Sequence, residues 1–175
     1  FDQSVPVPME TLRKLVGLAR LSPSASNKQP LKFRLVNDAE MCAQVFPLLA
    51  WAGYLPDWKG PVEGERPAAH VVILGDTELS NSFAVDEGIM AQSIMLGAVD
   101  AGFGGCMLGS VNRPKLRELL AIPERYEILL VLALGKPVET VVIDPVGEDG
   151  SIKYWRDEQH VHHVPKRSVD ELILE

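Results

Sequence analysis

Three stretches of this chain concentrate residues able to hold a small polar ligand. In the first, SPSASNKQP (22–30), nine residues carry no large apolar side chain. Ser24, Ser26, Asn27 and Gln29 bring hydroxyl and amide groups that donate and accept without bulk, suited to phosphate oxygens or the polar edge of a heterocycle. The same residues also make a good turn, with Ser22 and Pro23 ending a helix and Pro30 enforcing extended backbone. In the second, GFGGCMLGS (102–110), small residues let main chain approach a flat ligand, so that a backbone N–H could reach a ring nitrogen. Alternatively, Gly102 ends a helix and the other glycines open a strand. Neither the phosphate-loop nor the dinucleotide pattern is matched in register. In the third, Lys166 and Arg167 stand just before SVDELILE, where two cations oppose a helix macrodipole unless an anion joins them or Asp170 or Glu171 partners them.

Other reactive types lack context. Cys106 has no His or Asp arranged to activate it and reads as a small packing residue. His160, His162 and His163 have no acidic or thiolate ligand at recognisable spacing, so they read as solvated or hydrogen-bonded and no metal is expected.

These stretches need elements to position them. Leu12, Leu15, Val16, Leu18 and Ala19 recur at helical spacing before the first stretch, and KFRLV alternates as a strand after it. Asp38 suits the N-cap of AEMCAQVFPLLA. Periodicity is lost over 51–68, where Trp51, Tyr54 and Trp58 suggest a lid or pocket wall, or ordinary surface packing. AHVVILGD and YEILLVLALG are apolar runs suited to strands covered on both faces. Between them, SFAVDEGIMAQSIMLGAVDAG predicts a long helix capped by Asn81 or Ser82. Its apolar residues surround nearly the whole axis, so it must be buried in a core or against a second copy of the chain. RPKLRELLAI opens another helix at Asn112 or Arg113, with Pro114 in the first turn. The polar tail ends in a short apolar element. Helices alternating with strands predict a layered α/β or α+β domain.

Composition narrows the partners. The 175 residues, 46% hydrophobic and 23% charged, suit one domain over 1–175 with a real core. A net charge of −7 argues against sequence-independent binding of nucleic acid, which needs a basic field. Two cysteines without CxxC spacing suit a reducing cytoplasm. No apolar run reaches the roughly eighteen residues of a membrane span, and no signal peptide is recognisable. The sequence opens at Phe1 rather than Met, which leaves room for residues upstream of it.

In this order, PSASNKQP before a strand, DEGIMAQSIMLGAVDAGFGGCMLGS, LRELLAIPERYEILLVLALGKPVE and PKRSVDEL resemble the nitroreductase family of FMN-dependent oxidoreductases over nearly the whole chain. The resemblance implies an α+β fold, an α/β sandwich whose central, mostly antiparallel sheet is flanked by helices, in an intertwined homodimer with FMN at the interface. It implies that Pro23, Ser24, Ala25 and Asn27 line the flavin or its phosphate, with Gln29 nearby. Gly104, Gly105, Cys106 and Met107 would meet the flavin ring through their backbone, and Lys166 and Arg167 would grip the phosphate.

The implied reaction passes electrons from NADH or NADPH to nitroaromatics, quinones or similar small acceptors, with no catalytic side chain. Reductive dehalogenation, flavin breakdown or a non-catalytic flavin-binding dimer are the alternatives. Two departures stand out. The family's Arg-Ser-x-Arg-like segment would fall before Phe1, and Leu31 replaces the common Trp after Gln-Pro.

Overall fold

A computed structural model describes residues 1–174. Their contacts divide the chain into two compact units, Phe1–Trp51 with Gly60–Pro137, and Ala52–Lys59 with Val138–Glu175.

The first unit is three layers around an antiparallel sheet. Strands β1 (Leu31–Val36), β2 (Ala69–Asp76), β3 (Gly104–Leu108) and β4 (Tyr126–Gly135) lie in the order β1-β2-β4-β3. Successive strand side chains point to opposite faces, so an internal strand covered on both must be apolar throughout. Every residue of β2 is buried, as the AHVVILGD run requires. One face carries α1 (Met9–Arg20) and α3 (Ala84–Asp100), which place Leu12, Leu15, Met90 and Ile94 against Val71, Ile73, Leu132 and Leu134. The other carries α2 (Ala39–Val45) and α4 (Arg113–Leu119), packing Val45 and Leu116 over Val72, Leu74 and Val131. This is the expected α+β sandwich with its antiparallel central sheet.

Two of the first unit's four helices carry a side-chain N-cap. The Asp38 carboxylate accepts the Met41 N–H at 2.9 Å, and the Asn112 side chain accepts that of Lys115 at 3.3 Å. The expected cap of α3 at Asn81 or Ser82 is corrected: Phe83 is the N-cap residue and makes no side-chain cap. Phe83 is instead fixed by burial, its ring filling the space a Cβ on Gly75 would occupy. α1 and α3 pack closely because Gly97 has no side chain; a Cβ there would lie 2.5 Å from Leu18 Cδ1.

The second unit holds a three-stranded sheet, β5-β7-β6, formed by β5 (Val141–Pro145), β6 (Trp155–Arg156) and β7 (His162–Lys166). β5 and β7 pair in parallel, β6 and β7 antiparallel. One helical turn, α5 (Val169–Leu172), follows.

Candidate functional site

The α1–β1 connection is a turn organised by a carboxylate from far along the chain. Asp86, in the first turn of α3 and 3% exposed, accepts the Ser24 hydroxyl at 2.5 Å through Oδ2 and the Ala25 N–H at 2.8 Å through Oδ1. The Ser24 hydroxyl in turn accepts the Gln29 N–H at 2.9 Å. Nearby, Ser93 gives its proton to the Ile89 carbonyl, so the 2.7 Å contact with Ser22 is made by the Ser22 hydroxyl donating.

These ties hold an unusual backbone. Ser26, Asn27 and Gln29 have φ of 53°, 54° and 51°, in the left-handed region that costs a residue with a Cβ about 1 kcal/mol or more. Gln29 Nε2 donates to Asn27 Oδ1 at 3.1 Å. Asn27 is exposed, and its Nδ2 group remains a donor toward an external ligand.

Gly104, Gly105, Cys106 and Met107 form β3 at the sheet edge, with alternate backbone groups turned away from β4. Gly105 is required by the protein's own packing. A Cβ there would stand 2.2 Å from the Ala133 carbonyl oxygen, whereas one on Gly104 would make ordinary contact with Pro137. Cys106 packs against the α2/α4 core, in keeping with a packing role.

One copy of the chain does not bring the two segments together. β1 and β3 are opposite edges of the sheet, three strand spacings or about 14 Å apart. Along the strands, Leu31 is level with Gly75 and Glu127, while Cys106 is level with Ala133. The Ser24 turn lies at the start of α3 and Gly104 follows its end, and seventeen helical residues span about 25 Å. Between these corners α3 buries one side and exposes the other. Val85, Ile89, Gln92, Leu96 and Val99 are exposed and alternate four and three residues apart, Leu96 at 63% and Val99 at 64%. That spacing is the seam of a helix packed on another helix.

In the second unit, Lys166 closes β7 and Arg167 follows it, both exposed. Ser168 and Glu171 form a reciprocal capping box on α5, and Arg167 lies 3.5 Å from Glu171. A single turn carries little macrodipole, so the cations need no anion for stability. His163 bridges two carboxylates, with Nδ1 at 2.8 Å from Asp144 and Nε2 at 3.4 Å from Asp157, and stacks on Trp155. His162 Nδ1 lies 3.3 Å from Glu139, which also takes Arg156 at 2.6 Å. The expected aromatic loop divides between the units. Trp51 packs with Phe46 in the first, while Tyr54 packs on Tyr154 and Trp58 lies under the Arg156 guanidinium in the second.

Two features escaped the sequence reading. Asp86 looks like an ordinary first-turn acid, and its partners lie 61 and 62 residues away. The tail strands are short, β5 mostly exposed and β7 mostly half-buried, so their apolar pattern is weak.

Comparison with known proteins places these features in context. The family model described as the Nitroreductase family matches residues 1–136, ending beside the boundary between the two units. A protein of Archaeoglobus fulgidus, assigned by name as an NADH dehydrogenase/NAD(P)H nitroreductase, is 32% identical over 136 residues, 73% of each chain. Among solved structures, an FMN-dependent nitroreductase of Clostridium difficile R20291 superposes with a TM-score of 0.63 at 23% identity, covering 77% of this chain and 79% of its own. A nitroreductase family protein of Streptococcus pneumoniae TIGR4 reaches 0.68 at 20% identity, covering 97% and 90%.

Proposed function

Because the chain belongs to the nitroreductase family, we propose that it is an FMN-dependent NAD(P)H oxidoreductase acting on small electron-poor acceptors such as nitroaromatics and quinones. The observation that carries the reading is the layout of the first unit. A polar strained turn and a glycine-bearing sheet edge stand at opposite corners, joined by a helix with an apolar outer seam. Two copies packed along α3 can offer one copy's turn and the other's edge to the same ligand, which makes the working form a homodimer.

The residues present fit a flavin. The β3 edge presents backbone donors and acceptors beside small side chains, suited to a flat ring system, and the turn offers Asn27 Nδ2 and main chain at Pro23–Gln29. The buried Asp86 carboxylate disfavours a phosphate directly on Ser24, whose proton it already takes. The anion falls instead to the exposed Lys166 and Arg167.

Bound FMN supplies reversible hydride chemistry, which lets donor and acceptor use one site in turn with ping-pong kinetics. The chain's residues bind, orient and supply hydrogen bonds; none is assigned as an acid or base.

The test is spectroscopic. Purified protein reconstituted with FMN should show a flavin band that NADH or NADPH bleaches without oxygen. A bound flavin that neither nucleotide reduces would return the reading to a non-catalytic flavin-binding dimer, and protein that cannot be loaded would end both. K166A/R167A should weaken FMN retention about tenfold or more with little change in unfolding midpoint, from loss of charge-assisted hydrogen bonds. Equal FMN affinity would reject the phosphate role.

A further inference from the structure

We infer that Asp86 is a positioning residue that sets the shape in which the 24–29 turn meets its ligand; its consequence for FMN rests on the flavin reading above. The carboxylate is buried, yet no cation is paired with it by a salt bridge among the described residues. Its hydrogen bonds go to the turn instead, one to a side chain and one to main chain. A buried carboxylate is costly unless hydrogen-bonded, so the turn and the acid stabilise each other.

The geometry is directional. Gln29 N–H donates to the Ser24 hydroxyl, Ser24 donates to Asp86 Oδ2, and Ala25 N–H donates to Asp86 Oδ1. An acceptor on both oxygens is needed, and an ionised carboxylate is the side chain that provides it. The chain of bonds fixes residues 24, 25 and 29, and the three left-handed residues lie at 26, 27 and 29. Asp86 thus closes the turn around the residues whose backbone is strained. Such strain persists only where the surroundings over-determine it. Ser22 on Ser93, seven residues along α3 from Asp86, supplies a second tie on the same side of the helix.

Asp86 itself is screened from a ligand by the turn it holds, so its influence passes through Ser24 and Ala25. It was not among the residues whose position in the sequence suggests cofactor contact.

The isosteric substitution D86N tests this. Asparagine has one acceptor and one donor group where two acceptors are needed, so one of the two bonds must be lost. The expected result is faster amide hydrogen exchange at Ala25 and Gln29 and an FMN dissociation constant raised about tenfold or more, in an apoprotein that is somewhat less stable but still unfolds cooperatively. S24A should behave similarly. Because the effect of Asp86 on Gln29 runs through Ser24, D86N/S24A should lose less affinity than the two single losses multiplied together.

Unchanged exchange at Ala25 and Gln29 in D86N would overturn the inference, as would faster exchange with unchanged FMN affinity. If D86N does not fold, S24A decides by the same two readouts. Wild-type protein that fails to take up FMN would end the flavin reading alone, and the exchange rates of D86N would still decide whether Asp86 shapes the turn.

Discussion

His70 and His163 each occupy an internal strand of a sheet, His70 on β2 between β1 and β4, His163 on β7 between β5 and β6. Their surroundings differ in kind. His70 shares the face of Val72 and Leu74, pairs laterally with Val36 and Ala133, is 0% exposed and has no hydrogen-bond partner on either ring nitrogen among the described residues. Burial pushes its pKa down to about 4, so it is neutral across the physiological range. His163 is partly covered, which opposes its charge, but the hydrogen bonds to Asp144 and Asp157 outweigh this and raise its pKa. The first sheet treats histidine as a filler of volume. The second uses it as a bridge between strand and flanking segments. A sheet stacked between helices derives its order from apolar contact, whereas short strands with little apolar cover need polar ties.

The contrast has a sign that titration can expose. For His70 the folded state resists protonation while the unfolded chain takes a proton near the ordinary histidine value of 6.5. Stability from this site is therefore present above pH 6.5 and is lost as pH falls toward about 4. The shift corresponds to about 3 kcal/mol. H70L should remove that acid-side loss and raise stability at neutral pH by relieving unpaired nitrogens, as read from denaturant unfolding at pH 7 and pH 4.5. If wild type and H70L lose the same stability between those values, His70 is not the neutral buried group described. A smaller effect tests packing at the edge of the same sheet: G105A should cost about 2 kcal/mol in overpacking, because Ala133 main chain must move. G104A, facing only ordinary contact, should cost much less.

The contrast also explains what the sequence disclosed. AHVVILGD and YEILLVLALG are legible as covered strands because burial on both faces imposes an unbroken apolar run. The run concealed His70, since one polar residue leaves the pattern intact and its lack of partners is a three-dimensional fact. α3 was legible as a helix with too much apolar surface, but which side faces the sheet depends on packing: Met90 and Ile94 are buried, Leu96 and Val99 are not. The turn at 24–29 was legible from its Ser, Asn and Pro content, while its left-handed backbone and the anchor on Asp86 are long-range properties. The tail is legible only as a polar stretch that ends in a short apolar element. β5 and β7 pair in parallel across a connection that includes β6, and parallel pairing leaves no hairpin signature.

The smallest effect carries the opposite pH dependence. A histidine whose folded pKa is raised contributes stability that is fully present below 6.5 and lost as pH rises through the folded value. The charged groups around it are Asp144 on β5 and Asp157 between β6 and β7, with Trp155 across the ring. Neighbouring His162 instead meets Glu139, shared with Arg156. Above the pKa the neutral ring keeps one N–H and can donate to only one of the two aspartates, so the bridge becomes a single bond. D144N removes the shorter contact and should lower the His163 pKa more than D157N, whose carboxylate is 0.6 Å farther by the two distances of 2.8 and 3.4 Å. Imidazole chemical shifts followed through a pH titration measure both. H163N should flatten the alkaline loss of stability while leaving the acid loss from His70 in place. If H163N changes the acid limb instead, the two histidines are coupled rather than separate, and the contrast between the sheets fails.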